Sequence, residues 1–417
     1  MIVFKFGGAS VKDSNGVKNL LKIVKSYSEN LVIVVSALGK TTNALENILK
    51  LSFNNIPESK NQFTRLKEHH FQIISDLFNN DDQKLVTEIT ESFGFLYNIL
   101  YNSEIEDYNY RYDQVVSFGE IFSTKIISAY LNKELLKNTW VDIRKVLRTN
   151  TTYREAKVDY KKTSEGAMNK FDFKKSRVYL TQGFIGGAED GSVTTLGREG
   201  SDYSAAVLAN VLNAESVTVW KDVDGILNAD PQYFSETKKL KKLSYQESVE
   251  LAYFGAKVIH PKTLKPLHNK NIPLHVRSFI NTKDEGTIIH CFKKYDQDLP
   301  IFILKKEQVL ISLFPKDLSF IIEDELSKIF KYLSDHRIKV NLIQNSAISI
   351  SFCIDNSNSN VKTLIDHLKE DFKVLYNDQL ELLTIRHYNP ESIDQVTAGR
   401  KIYIDQRSRH TAHFVIR

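Results

Sequence analysis

The chain has 417 residues with 56 basic against 51 acidic, a net charge of +5 and 42% hydrophobic residues. That is enough apolar surface for two sizeable cores, and too even a charge balance for a nucleic-acid-binding stripe. Lysine clusters such as Lys238, Lys239, Lys241 and Lys242 read as solvated faces, and Cys291 and Cys353 lack metal or CxxC spacing, which argues against a disulfide or zinc scaffold and suits a reducing cytoplasm.

The first element is a strand, Ile2 to Phe6, with no basic segment and apolar run of a secretory leader before it. The longest apolar stretch, Leu31 to Leu38, is far shorter than the roughly 20 residues a membrane span needs, so neither secretion nor membrane insertion is expected. Further strands are predicted at Leu31 to Ala37, Thr139 to Ile143, Arg177 to Thr181, Ser216 to Trp220 and Pro273 to Val276. Helices are predicted from near Ser14, over Tyr112 to Leu131 and over Asp202 to Leu212, with Gln62 to Tyr101 as helical inserted material. Short apolar runs alternating with helical patterns predict an α/β domain around a mainly parallel, buried sheet.

Beyond Leu299 the order becomes strand (Val309 to Phe314), helix (Asp324 to His336), strand (Lys339 to Ile343), strand (Ala347 to Cys353), helix (Val361 to Phe372) and strand (Leu380 to Arg386), the ferredoxin-like βαββαβ plan. The first of these helices should bury Leu326, Ile329, Phe330 and Leu333 on one face. Two strand-like runs, Lys401 to Ile404 and Ala412 to Ile416, follow and are too short for a second complete unit.

Chemistry concentrates at a few points. Lys5 interrupts an apolar strand that ends in Gly7-Gly8-Ala9-Ser10, and an ammonium there is costly without an anionic partner. Paired glycines before a helix let backbone N–H groups approach a phosphate. A P-loop is excluded, because Gly39-Lys40-Thr41 would need a glycine at position 34, which is Val34; no GxGxxG follows a strand either. The densest constellation, Thr194 to Ala206, is a polar glycine-containing loop entering an alanine-rich helix, with Ser201 expected as N-cap and Asp202 complementing the helix dipole. Capping does not account for Arg198, a guanidinium suited to a bidentate grip on a carboxylate. Glu120 in Ser117-Phe118-Gly119-Glu120, Asp222 and Asp224 before Gly225, and Lys257 are ordinary residues taken singly.

Taken together, Lys5 to Val11 (KFGGASV), Val35 to Ala37, Ser117 to Glu120 (SFGE), Thr194 to Asp202 (TTLGREGSD), Asp222 to Pro231 and Phe254 to Pro261 (FGAKVIHP) resemble the aspartokinase family of the amino-acid-kinase superfamily. The resemblance covers essentially the whole chain. It implies an open αβα sandwich of the carbamate-kinase-like type over residues 1–295 and a ferredoxin-like ACT regulatory domain over 300–417, with a truncated second ACT unit. The implied reaction moves the γ-phosphate of ATP to the β-carboxylate of L-aspartate, with Mg²⁺ carried on the phosphates and no protein metal site.

By the same resemblance Lys5, Asp202 and Lys257 are catalytic, and Gly7, Gly8, Ser10, Lys221 and Asp222 join Lys5 and Lys257 in binding the nucleotide. Ser36, Thr42, Glu120, Arg198 and Ser201 bind the substrate, Glu120 at its α-ammonium and Arg198 at its α-carboxylate. A cytoplasmic homodimer with an amino-acid effector at the ACT domain is implied too. Departures from the family pattern are Glu199 where a glycine is usual, Lys221 where threonine is common, and Leu227 and Gln232 where the nucleotide site often has Tyr and Arg. Asn341 and Ala347 stand where lysine-sensitive relatives carry acids. The alternatives are a catalytically silent ACT-type sensor, against which the retained charged residues speak, and a kinase for another acidic amino acid.

Overall fold

Alternating apolar runs and helical patterns give the sheet they predict. A computed structural model describes residues 1–79, 81–102, 106–256, 259–292, 299–317, 319–356 and 360–417. The chain divides into two units, the first comprising Met1–Ile226, Lys239–Val249 and Ile259–Lys293, the second Leu227–Lys238, Glu250–Val258 and Lys294–Arg417.

The first unit is built on an eight-stranded sheet in the order Lys242–Ser244, Thr287–His290, Leu274–Ser278, Ser216–Lys221, Ile2–Phe6, Leu31–Val35, Val178–Gln182, Thr139–Val141. Every pairing is parallel except that between Leu274–Ser278 and Thr287–His290. The strand Ile2–Phe6 sits between Leu31–Val35 and Ser216–Lys221, so the chain leaves it toward neighbours on both sides, the kind of crevice where α/β sheets bind ligands.

Strand alternation sends Ile2, Phe4 and Phe6 into a core shared with the helices Ser14–Lys25, Ile56–Phe78, Gln83–Tyr101 and Phe118–Lys133. Val3 and Lys5 therefore point to the other face, where the buried helix Gly200–Val211 packs. Phe6 stacks on Trp220 at 6.1 Å between ring centroids, and the Arg277 guanidinium lies 5.1 Å from the centre of the same indole. Truncating Trp220, 1% exposed, would cost about 3–5 kcal/mol.

The expected helix Tyr112 to Leu131 is two helices, Tyr108–Val116 and Phe118–Lys133, which meet at Ser117. Ser117 satisfies its hydroxyl on Gln114 O, a local bond that competes with a continuous helix. The Gln62 to Tyr101 insertion is likewise two helices, separated after Asn79, which closes the first in a left-handed conformation at φ 53°.

The second unit holds one antiparallel sheet in the order Val340–Asn345, Ile350–Asp355, Ile301–Pro315, Phe372–Arg386, Thr411–Ile416, Ile402–Arg407. Its first four strands with the helices Glu323–Asp335 and Val361–Asp371 form the predicted ferredoxin-like ACT domain. The strands expected at Val309 and Leu380 begin at Ile301 and Phe372 instead, because a bulge between Lys305 and Leu310 lets one long strand serve two halves of the sheet. Ile329 and Leu333 are buried as expected, but Phe330 is 46% exposed. Tyr332 packs at that flank, its hydroxyl donating to Asp371 at 2.8 Å. A helix with no predicted counterpart, Pro390–Thr397, covers a small core of Phe302, Leu383, Ile385, Phe414 and Ile416.

Candidate active site

The C-terminal ends of the central strands open on a cavity of about 820 Å³. Lys5, Gly7, Gly8, Ser10, Ser36, Thr42, Glu120, Arg198, Ser201, Asp202, Lys221 and Asp222, all singled out in the sequence, line it. Lys257 lies outside the described residues.

Lys5 belongs to a strand buried throughout, and its Nζ lies 2.7 Å from Asp202 Oδ1 with side-chain exposures of 10% and 5%. Burial opposes ionisation of Asp202, but the charges of Lys5 and Lys221 and the hydrogen bond from Lys5 hold its carboxyl below the ordinary range. Removing two charges from water is expensive, and a buried ion pair is a poor way to stabilise a fold. It is a good way to fix an ammonium beside a glycine bend. That bend is close-packed: a Cβ on Gly8 would lie 2.7 Å from Ala37 O and 2.8 Å from Gly39 O, so only glycine fits there.

Glu120 enters from the first turn of Phe118–Lys133 and is 2% exposed. Its Oε1 accepts the Ala37 N–H at 3.2 Å, while Oε2 is buried with no partner among the described residues. Burial pushes this carboxyl up to about 8, against the Ala37 hydrogen bond and the charge of Lys5. A buried acid with one bare oxygen in a cavity is poised to receive a cation.

Arg198 is exposed and forms no ion pair among the described residues. The residue after it corrects an expectation: the N-cap of Gly200–Val211 is Glu199 rather than Ser201, with no side-chain cap bond and φ 53°. This left-handed backbone explains why glycine suits the position. Glu199 offsets the strain with its carboxylate, which accepts the His260 N–H at 2.9 Å.

One residue of the site went unrecognised in the sequence. Asp113, fully buried, accepts the Arg154 N–H on both oxygens at 3.1 and 3.0 Å, and the Thr195 N–H and hydroxyl at 2.8 and 2.7 Å. It ties a loop and a strand end of the cavity wall together, and burial raises its carboxyl above the ordinary range. No local pattern marks it, since its partners lie 41 and 82 residues away in sequence.

The geometry agrees with the comparisons. The amino acid kinase family matches residues 1–278. Lysine-sensitive aspartokinase 3 of Escherichia coli is 32% identical over 365 residues, covering 86% of this chain and 79% of that relative. This chain belongs to the amino acid kinase family, among the aspartokinases. Two structures of E. coli aspartokinase III match all of the chain. The complex with lysine and aspartate (T-state) has TM-score 0.82 at 28% identity over 95% of that protein, and the complex with aspartate and ADP (R-state) has TM-score 0.80 at 27% identity over 96%. As in other kinases of carboxyl groups, the site of this aspartokinase needs no general base, because a carboxylate is already ionised at neutral pH. It needs positioning and relief of phosphate repulsion.

Proposed function

We propose that this protein transfers the γ-phosphate of ATP to the β-carboxylate of L-aspartate, giving ADP and 4-phospho-L-aspartate, the entry step to lysine, threonine and methionine synthesis. The observation that carries the reading is the meeting, in one cavity, of the lysine-bearing glycine bend with a half-satisfied buried acid and a guanidinium unpaired among the described residues. A carboxylate oxygen attacks the γ-phosphorus, the bond to the ADP oxygen breaks, and no proton need be removed.

In this reading Lys5 neutralises the transferring group and Gly7 and Gly8 donate backbone N–H groups, with Asp202 orienting Lys5. Ser10, Lys221, Asp222 and Lys257 complete the nucleotide side. Glu120 takes the substrate's α-ammonium and Arg198 its α-carboxylate, supported by Ser36, Thr42 and Ser201. Among the described residues no three His, Cys, Asp or Glu side chains are grouped to hold a metal ion. The Mg²⁺ of this reaction arrives on the ATP phosphates and offsets part of their charge.

We assign residues 1–295 to catalysis and 300–417 to regulation by an amino-acid effector, with Ile402–Arg407 and Thr411–Ile416 as the remnant of a second ACT unit. The half-exposed Phe320, Ile322, Leu375 and Tyr376 of the second unit support a homodimer. Among the described residues no helix is long and apolar enough to cross a membrane, and two free cysteines suit the cytoplasm. The deciding assay is aspartate-dependent ADP release, run beside glutamate at equal concentration and with lysine, threonine and methionine added singly. Faster release with glutamate, or none with aspartate, would overturn the assignment.

A further inference from the structure

Three residues of the cavity wall other than glycine have left-handed backbones, Arg154 (φ 70°), Phe184 (φ 68°) and Glu199 (φ 53°). Two have local reasons. The Phe184 ring packs against the hydrophobic core, and the Glu199 carboxylate holds His260. Arg154 is different: both of its bonds to Asp113 come from its backbone N–H, so glycine would make them equally well with less strain. A long cationic side chain kept in a conformation that favours glycine points to a use for that side chain.

Its surroundings indicate which use. The guanidinium carbon lies 4.3 Å from the centre of the Tyr112 ring, itself part of the cavity wall, and the side chain is 42% exposed. Among the described residues the one carboxylate paired with it is Glu46, at a loose 3.8 Å, and Glu46 is bound more closely by Lys50 at 2.9 Å. One acid between two cations, with the Asp113 carboxyl acting on Arg154 only from beyond ion-pair distance, leaves the guanidinium open to a further carboxylate. Arg154 also lines an adjoining cavity of about 490 Å³ together with Glu46 and Lys50. Thr42, Glu46 and Lys50 follow one another at four-residue spacing along the helix Thr41–Asn54, so a single helical stripe runs from the main cavity to the adjoining one.

We infer that Arg154 is a second guanidinium of the acceptor site, exchanging Glu46 for a carboxylate oxygen of the incoming acidic amino acid and setting the preference for a dicarboxylic acceptor. This rests on the aspartate reading above. It separates Arg154 from a merely structural ion pair, because the two carboxylates compete for one cation.

Competition predicts opposite signs. Arg154→Gly raises the aspartate KM about tenfold, the loss of one charged contact, with the ATP KM within about twofold of wild type. Its thermal midpoint is unchanged or higher, because glycine relieves the left-handed backbone. Glu46→Gln lowers the aspartate KM about twofold by releasing the guanidinium. If both substitutions move the aspartate KM in the same direction, or neither moves it, Arg154 does not touch the acceptor. Should Arg154→Gly fold poorly, Arg154→Lys and Arg154→Gln share the strained backbone and differ in charge: a KM nearer wild type for lysine supports the role, and equal values overturn it. Wild-type enzyme is measured in the same assay; if it releases no ADP with aspartate, the acceptor assignment falls and this inference with it.

Discussion

Two clusters of charged and polar side chains among the described residues, one in each unit, differ in whether the protein completes them. At the bulge in the second unit, Lys305 donates to Asn341 Oδ1 at 2.8 Å, and Asn341 donates to Gln308 Oε1 at 2.9 Å and to Asp355 Oδ1 at 2.8 Å. Gln308, fully buried, donates to the same Asp355 oxygen at 2.8 Å. That network closes on itself. In the cavity of the first unit Glu120 keeps a bare oxygen and Arg198 has no ion pair among the described residues. Buried polar groups are costly unless satisfied, so the closed cluster reads as architecture and the open one as a site awaiting its ligand.

The largest effect that tests this contrast is at Lys5. Lys5→Met should lower kcat at least 100- to 1,000-fold, about what removing one transition-state donor costs. It should also destabilise the fold by roughly 3–5 kcal/mol, because Asp202 is left buried without its closest counter-charge. Denaturation and turnover measured on the same preparation separate the two, and unimpaired turnover would remove Lys5 from the reaction.

Next comes Glu120, where the sign of the pH dependence is fixed by its raised carboxyl. Below about 8 the free site holds a neutral acid, so aspartate affinity should rise with pH and level off above that value. Stability should run the other way: a group whose folded value exceeds its unfolded one loses its contribution as pH climbs from near 4.5 to about 8. Glu120→Gln should flatten both profiles and weaken aspartate binding roughly 10- to 100-fold. Retention of the aspartate profile in that variant would assign the titration to another group.

Smaller still, Asn341→Ala in the closed cluster should cost about 1–3 kcal/mol of stability by stranding its partners, with the aspartate KM unchanged. A changed KM at unaltered stability would show that this cluster, too, serves the site. The mildest test lies in the helical insertion. His70 donates Nδ1–H to Leu66 O, leaving Nε2 buried without a partner among the described residues, and burial pushes its imidazole down to about 4. Stability should therefore decline as pH falls from about 6.5 toward 4, and His70→Phe, beside Phe93 and Phe122, should remove that slope. An identical acid profile in the variant would place the lability elsewhere.

Local chemistry made much of this legible. The apolar strands around Lys5 announced a buried parallel sheet, and the cost of an ammonium in such a strand announced a partner, which is Asp202. Legible too were the glycine bend and the loop carrying Arg198, because their residue types are unusual for the elements they occupy. The break at Ser117 and the early start of the strand Ile301–Pro315 were hidden, since both depend on bonds and bulges that the apolar pattern does not encode.

The sequence by itself determined the order of elements, the faces they bury and the kinds of charge that must find partners. Only the tertiary structure decided which partners those are: Asp113 clamping two distant segments, Glu199 bonded to His260, Arg154 sharing Glu46 with Lys50. The reason is physical. Periodicity and propensity act over a few residues, whereas desolvation is set by whatever the fold brings within a few ångströms, regardless of how far apart it lies in the chain.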